Sequence, residues 1–355
     1  MSAASPELGP LLHLWGISRQ QLPPPTASAE ELEPLLTAIL REAVPFIDSA
    51  APEKNRNRDE LWKPRGSKSH RDSEARIDLS ERRIPAAELR RLLPDRSDSS
   101  QQQQQQRLGQ ERDEVWFCRR SVHADEARPG TASWAELESR LRLPQRHAEA
   151  ELAFDPGVRA AREAVAWDCG DLKVRDADGG ADAGRRWGGF RLAVYEMRHR
   201  LGVGLRDRVF PELQMSCAAV EERGEEEGGK EDEFLVVSIP VPDFGGGGDG
   251  APHEENGDAV VGVYVAVQRV RRMRRDEGAG TGVVEWLMAT AGDARGVLPA
   301  WLQNRAMPAV IWKDVPRFLA WVARERESEK EREKGEGGGV ADKGVDAEAG
   351  GKAEG

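Results

Sequence analysis

Apolar and polar residues alternate through the centre of this chain in a pattern that predicts an antiparallel sheet. Val115–His123, Phe190–Leu201, Val209–Val220, Phe234–Val241, Val260–Val270 and Val283–Thr290 are rich in β-branched and aromatic residues with a period near two. Ala75–Ile84 alternates weakly and is expected to be the first strand. Consecutive strands with no helix between most of them should pair antiparallel. Elsewhere the period shifts to 3.6. Leu32, Leu35, Leu36, Ile39, Leu40 and Val44 make one stripe, and Ser28 with Glu31 forms a capping box at its start. Ser133 with Glu136 opens a second helix to about Leu143, and Val158–Trp167 is expected to be a third. Ala51–Ser73 is polar and without a clear period, although Leu61 and Trp62 could dock on the domain.

The final strand runs into a polar Gly-Asp-Ala-Arg-Gly turn, and Pro299 then opens a long helix at a position where its missing N–H costs nothing. Ile311, Val315, Phe318, Leu319 and Val322 give that helix one apolar face. Pro316 should kink or restart it, with Asp314 as a new N-cap. Such a helix has to lie against the sheet. A sheet curled round it would leave a pocket between the two.

These residues also carry a family resemblance. Asp293-Ala294-Arg295-Gly296 followed by Leu298-Pro299-Ala300-Trp301-Leu302 resembles the end of START domains, lipid-transfer modules related to the steroidogenic acute regulatory protein. Val115–His123, Gly130–Trp134, Val194–Met197, Arg208–Pro211 and Lys313–Val315 resemble a narrower fungal START-like family classed as a domain of unknown function. Arg295 departs from the pattern, standing where a glycine is usual. The resemblance implies an α+β, START-like helix-grip (Bet v 1-like) fold, with a curved sheet of six to seven strands round the C-terminal helix. The expected organisation is an N-terminal helical segment and linker over 1–59, a START-like domain over 60–325 and a disordered charged tail over 326–355. Low-complexity inserts are expected near 95–112, 221–233 and 242–258.

Composition narrows the partners. The net charge of −11 comes mostly from Glu221–Glu233, with eight acids against two bases, and Arg324–Gly355, with ten against seven. Acidity in inserts and tail implies no basic partner, and no face-wide basic excess suggests nucleic acid. Three scattered cysteines suit a reducing compartment. There is no basic flank with an apolar core at the N-terminus and no run of about 18 apolar residues. A soluble, cytoplasmic monomer is the expectation.

Candidate chemistry is sparse. Cys118 and His123 lie five apart on one strand and so point to opposite faces, which excludes a dyad. The six histidines show no metal-ligand spacing, and no metal or cofactor is expected. Gly245–Gly250 and Gly278–Gly282 precede no helix, which argues against phosphate cradles. The run Arg269–Arg275, with Arg269, Arg271, Arg272, Arg274 and Arg275, could touch anionic headgroups or serve as a solvated strand end. Arg120, Glu196 and Glu285 sit inside apolar strands, where an inward-facing charge needs a partner. The candidate ligand-binding set is Trp116, Cys118, Arg120, Tyr195, Met197, Arg206, Tyr264, Glu285 and Trp286. Arg206-Asp207 enters through its resemblance to an Arg-Asp step of START domains.

The expected function is non-enzymatic binding of a lipid or sterol under the terminal helix, with transfer left open. Two alternatives stay open. One is a polyketide cyclase or hydrolase using His123, His199 and Glu285. The other is a solid-cored interaction scaffold.

Overall fold

The computed structural model describes residues 9–51, 61–92, 112–177, 184–202, 204–220, 232–244, 259–273 and 282–337. Helix α1 (Ala29–Ala50) is followed by β1 (Lys63–His70), β2 (Ser73–Ile84), α2 (Ala86–Leu92) and β3 (Glu114–Ala124). Helices α3 (Trp134–Leu141) and α4 (Pro144–Phe154) precede β4 (Val158–Trp167), β5 (Val174–Arg175), β6 (Arg186–His199), β7 (Arg208–Val220) and β8 (Glu233–Pro240). The chain continues through β9 (Val260–Val261), β10 (Val263–Met273), β11 (Val283–Asp293), α5 (Ala300–Ile311) and α6 (Asp314–Gly337).

One curved sheet has the order β1-β2-β3-β11-β10-β8-β7-β6-β4, with β5 paired to β6 and β9 to β7. Every pairing is antiparallel except β7 with β9. The helix-grip outline is therefore the fold, built with eleven described strands where six to seven were expected. One face carries α1 and the N-terminal segment on Trp116, Cys118, Leu213, Met215, Val237, Val265, Leu287 and Ala289. The other carries α3 and α6 on Phe234, Val270, Val284 and Trp286. Strands β7, β8, β10 and β11 are buried along almost their whole length because both faces are covered.

The additional strands are those that lack an apolar rhythm. β1 is an edge strand, mostly exposed, with sequence KPRGSKSH, and only its pairing to β2 defines it. β4 corrects the expected helix at Val158–Trp167. Its Ala, Arg and Glu content favours helix, yet it pairs with β6 across two irregularities, and Arg162 forms an ion pair with Glu196. Ladder pairing at a free edge outweighs a weak intrinsic preference here. The second mid-chain helix lies earlier, where Pro144 takes a first-turn position. Both capping boxes, at Ser28 and Ser133, are present.

The terminal helix restarts where Pro316 demanded it. α5 ends at Ile311, and α6 begins at Asp314. α6 continues to Gly337; residues 338–355, which hold most of the expected tail, lie outside the described residues. The inserts near 95–112, 221–233 and 242–258 lie almost wholly outside them too. Among the described residues no helix is long and apolar enough to cross a membrane.

A polar recess between the sheet and the C-terminal helices

Strand β7 alternates Leu213, Met215 and Cys217 toward α1 with Glu212, Gln214 and Ser216 toward α4 and α6. β3 does the same, turning Cys118 to α1 and Arg119 to α6. The helix-facing side of the sheet is thus polar at its middle. Register aligns Thr290 with Ala266, Ala266 with Ser238, Ser238 with Gln214 and Gln214 with Ala193. This file of mostly small side chains forms a floor. Two residues further along, on the same face, lie Tyr264 on β10 and Glu212 on β7. Arg119 bounds the other side.

The helices complete the walls. α4 turns Ala148 and Ala150 inward, together with His147 and Glu151, whose Nε2 and Oε1 are 3.3 Å apart. Asp314 opens α6 with Oδ2 3.7 Å from Nε of Arg119. Met307 and Ile311 of α5 pack with Leu79, Val115, Phe117 and Met288, giving the recess an apolar end. Glu151 and Asp314 face inward yet keep 30% and 20% of their side-chain surface accessible.

The electrostatics follow from burial. Loss of water, with the nearby Glu151 carboxylate, pushes Glu212 up to about 7, against hydrogen bonds from Ser238 and Gln214. Burial likewise pushes Asp314 up to about 7, and the Arg119 guanidinium only partly offsets it. Burial alone would raise Glu151 and lower His147, but their mutual attraction wins for both, so Glu151 is lowered and His147 raised. Burial raises Tyr264, assisted by Glu212 and Glu151, and lowers His199. Seven ionisable groups from β3, α4, β6, β7, β10 and α6 are coupled in one place: Arg119, His147, Glu151, His199, Glu212, Tyr264 and Asp314. Coupled buried ionisable groups of this kind make the place a functional-site candidate, and structural ion-pair networks produce them as well.

The candidate residues read from the sequence divide between the two faces. Tyr264 belongs to the recess. Tyr195 and Met197 pack with Ala148 at its β6 edge, the Tyr195 hydroxyl donating to Glu163 at 2.6 Å. Trp286 lies on the same face but is filled in by Phe318 at 5.1 Å and donates to Gln268. Five residues lie away from the recess. Trp116 and Cys118 belong to the core under α1. Arg120 and Glu285 meet on that same side, Nε to Oε1 at 2.6 Å, because each is one residue out of phase with Arg119 and Trp286. Arg206 is exposed on the loop before β7, and the buried arginine there is Arg208, which donates from Nε to the Ala294 carbonyl.

Two further readings change. Arg269 is buried against Asp48, Glu233 and Glu285, and Arg271 and Arg272 pair with Glu285, Asp125 and Asp232. Arg269 therefore cannot meet a headgroup, and Arg274 and Arg275 lie outside the described residues. The cyclase set does not assemble. Glu285 is on the α1 side, whereas His123 is buried against Ser121 near Trp286, with burial and Arg119 pushing it down to about 4. Sequence reasoning missed Arg119, His147, Glu151, Glu212, Gln214 and Asp314. The signal available was a polar file alternating with apolar residues inside a strand otherwise too apolar to be exposed.

Comparisons with known proteins agree with the family read from the sequence. A family model described as "Protein of unknown function (DUF3074)" matches residues 116–322. No curated protein matches the chain. Among solved structures, human STARD10 is similar at 13% identity and TM-score 0.44, over 83% of this chain and 84% of that one. Human StAR-related lipid transfer protein 5 is similar at 11% identity and TM-score 0.40, over 82% and 96%. The human StarD13 lipid transfer and protein localization domain follows at 14% identity and TM-score 0.36, over 79% and 95%.

Proposed function

We propose that this chain, which belongs to the DUF3074 family of proteins of unknown function, binds a small amphiphile of the lipid class without turning it over. The observation that carries this reading is an inward-facing polar cluster beside an apolar end, with accessible surface left on Glu151 and Asp314. Polar groups removed from water and left short of partners are costly, and a bound molecule that partners them recovers that cost. The apolar chain would lie against Met288, Met307 and Ile311 under α5, where each buried methylene contributes about 0.8 kcal/mol. Entry would require α5 or α6 to shift, and the break at Trp312–Lys313 provides a hinge.

Uptake of a fluorescent fatty-chain probe tests the reading. Saturable uptake by the full chain, lost on Ala266→Trp while the circular dichroism spectrum is kept, supports it. A chain that takes up no probe, or whose uptake survives the filled floor, overturns it.

Contact with a membrane belongs to the same proposal, at a different surface from the arginine run. Val297, Trp301 and Leu302 are 82%, 69% and 41% exposed where β11 gives way to α5. Large apolar side chains grouped at a surface mark interaction sites. Vesicle sedimentation that is unchanged by Trp301→Ser would remove this part of the reading.

A further inference from the structure

Glu212 forms no ion pair among the described residues, although the charge of His147 reaches it. It is 4% exposed on β7. The basic groups that face the recess are engaged elsewhere: Arg119 with Asp314, and His147 with Glu151. Tyr264 on β10 and His199 on β6 are the other titratable groups turned toward it. Three carboxyls, Glu151, Glu212 and Asp314, therefore face Arg119, the paired His147 and, beside Asp314, Arg317, and none of these is bound to Glu212.

A second, independent observation lies beside it. Gln214, also 4% exposed, donates from Nε2 to Glu212 Oε2 at 3.4 Å, and its Oε1 has no hydrogen-bond partner. The carboxylate fixes this amide orientation, because the flipped amide would turn an oxygen toward an oxygen. Gln214 Oε1 is thus a buried acceptor without a donor, beside a carboxyl whose hydrogen bonds from Ser238 and Gln214 bring it no positive charge. Arg119, which has spare N–H groups, stands four strands away in the sheet order, about 19 Å along the sheet at standard strand spacing. The two ends of the recess ask for different chemistry.

We infer that the amphiphile held in this recess carries a protonated amine, which docks on Glu212 and Gln214. The inference rests on the binding function proposed above and narrows its ligand class. An alkylammonium supplies three donors and the missing positive charge. A hydroxyl supplies one donor and no charge. A carboxylate would add a fourth negative group to an already acidic site and is disfavoured.

The experiment compares dodecylamine, dodecanol and dodecanoate, each below its micellar concentration, as competitors of a fluorescent alkyl probe on the full chain at pH 7.5. The expected order is amine, alcohol, acid, with the amine about tenfold tighter than the alcohol, as a charge-assisted bond supplies. Glu212→Gln, of the same shape, should weaken the amine by about tenfold and leave the alcohol within about twofold. Alcohol or acid binding as tightly as amine in the unmodified chain overturns the inference, with no variant needed. Amine affinity unmoved by a folded Glu212→Gln does so as well. If the probe binds and only the preference fails, the binding function stands and the amine falls. If neither probe nor competitor binds, both fall.

Discussion

Asp314, the first residue of α6, lies 3.7 Å from the buried guanidinium of Arg119 on β3 and ties the terminal helix to the sheet at the wall of the recess. Arg119 is 2% exposed and also stacks over Trp286 at 4.3 Å. Asp314→Ala strands that guanidinium and is expected to cost about 3–5 kcal/mol. Arg119→Met combined with Asp314→Asn should cost less than Asp314→Ala alone, since no buried charge is then left uncompensated. Urea denaturation of Asp314→Ala, of the double variant and of its single parts Arg119→Met and Asp314→Asn measures this. A double variant as unstable as the sum of its parts would show that the pair does not couple helix to sheet.

Glu212 makes stability fall as pH rises. Its folded value near 7 stands above the ordinary 4.5, so between those limits the folded chain binds more protons than the unfolded one. The contribution is complete below about pH 4.5 and is lost as pH climbs through 7. Histidines contribute to the raw profile, His123 and His199 in the opposite direction and His147 in the same one. The difference between wild type and Glu212→Gln isolates the carboxyl. Wild-type Tm should drop relative to the variant by several degrees from pH 5 to pH 8. A constant difference across that range contradicts the desolvated carboxyl.

Arg295 sits at φ 52°, and it has the only positive φ of any non-glycine among the described residues. The left-handed region costs a residue with a Cβ roughly 1 kcal/mol or more. Its Nε is buried without a partner. Arg295→Gly is therefore expected to raise Tm by a few degrees in a thermal melt, and a lower Tm would mean that the side chain contributes more than the backbone strain costs.

The departure at Arg295 was visible in the sequence as a missing glycine, and the turn it occupies explains why glycine is the easier residue there. The restart at Asp314 was legible for a similar reason: Pro316 leaves the preceding turn no hydrogen-bond donor. Strands with a clean apolar rhythm were legible too. β1 and β4 were not, since KPRGSKSH and VRAAREAVAW have no alternation and become strands only through their neighbours. The recess was mostly hidden. Arg120 and Arg119 are equally charged neighbours, and only the register of β3 against β11 decides which one faces α6. His147 and Glu151 required knowing that the second mid-chain helix runs over Pro144–Phe154.

Glu285 separates stability from binding. It is fully buried on the α1 side and receives Nε of Arg120 and of Arg271, each at 2.6 Å, with Arg269 at 3.6 Å. Burial would raise its pKa, and the three guanidinium groups outweigh that and hold it below the usual carboxylate range. Glu285→Gln leaves buried positive charge in excess and should cost about 3–5 kcal/mol in urea denaturation. Affinity for a fatty-chain probe should stay unchanged in the folded fraction. Lost affinity at full folding would place the binding site on the α1 face instead.

Native mass spectrometry of the full chain purified from a lipid-rich extract tests the ligand recess most directly. A discrete mass adduct that survives gentle ionisation, fragments to an alkyl-chain compound and is absent from the Ala266→Trp variant is the predicted result. A spectrum showing only the bare polypeptide mass, both before and after incubation with the extract, would contradict it.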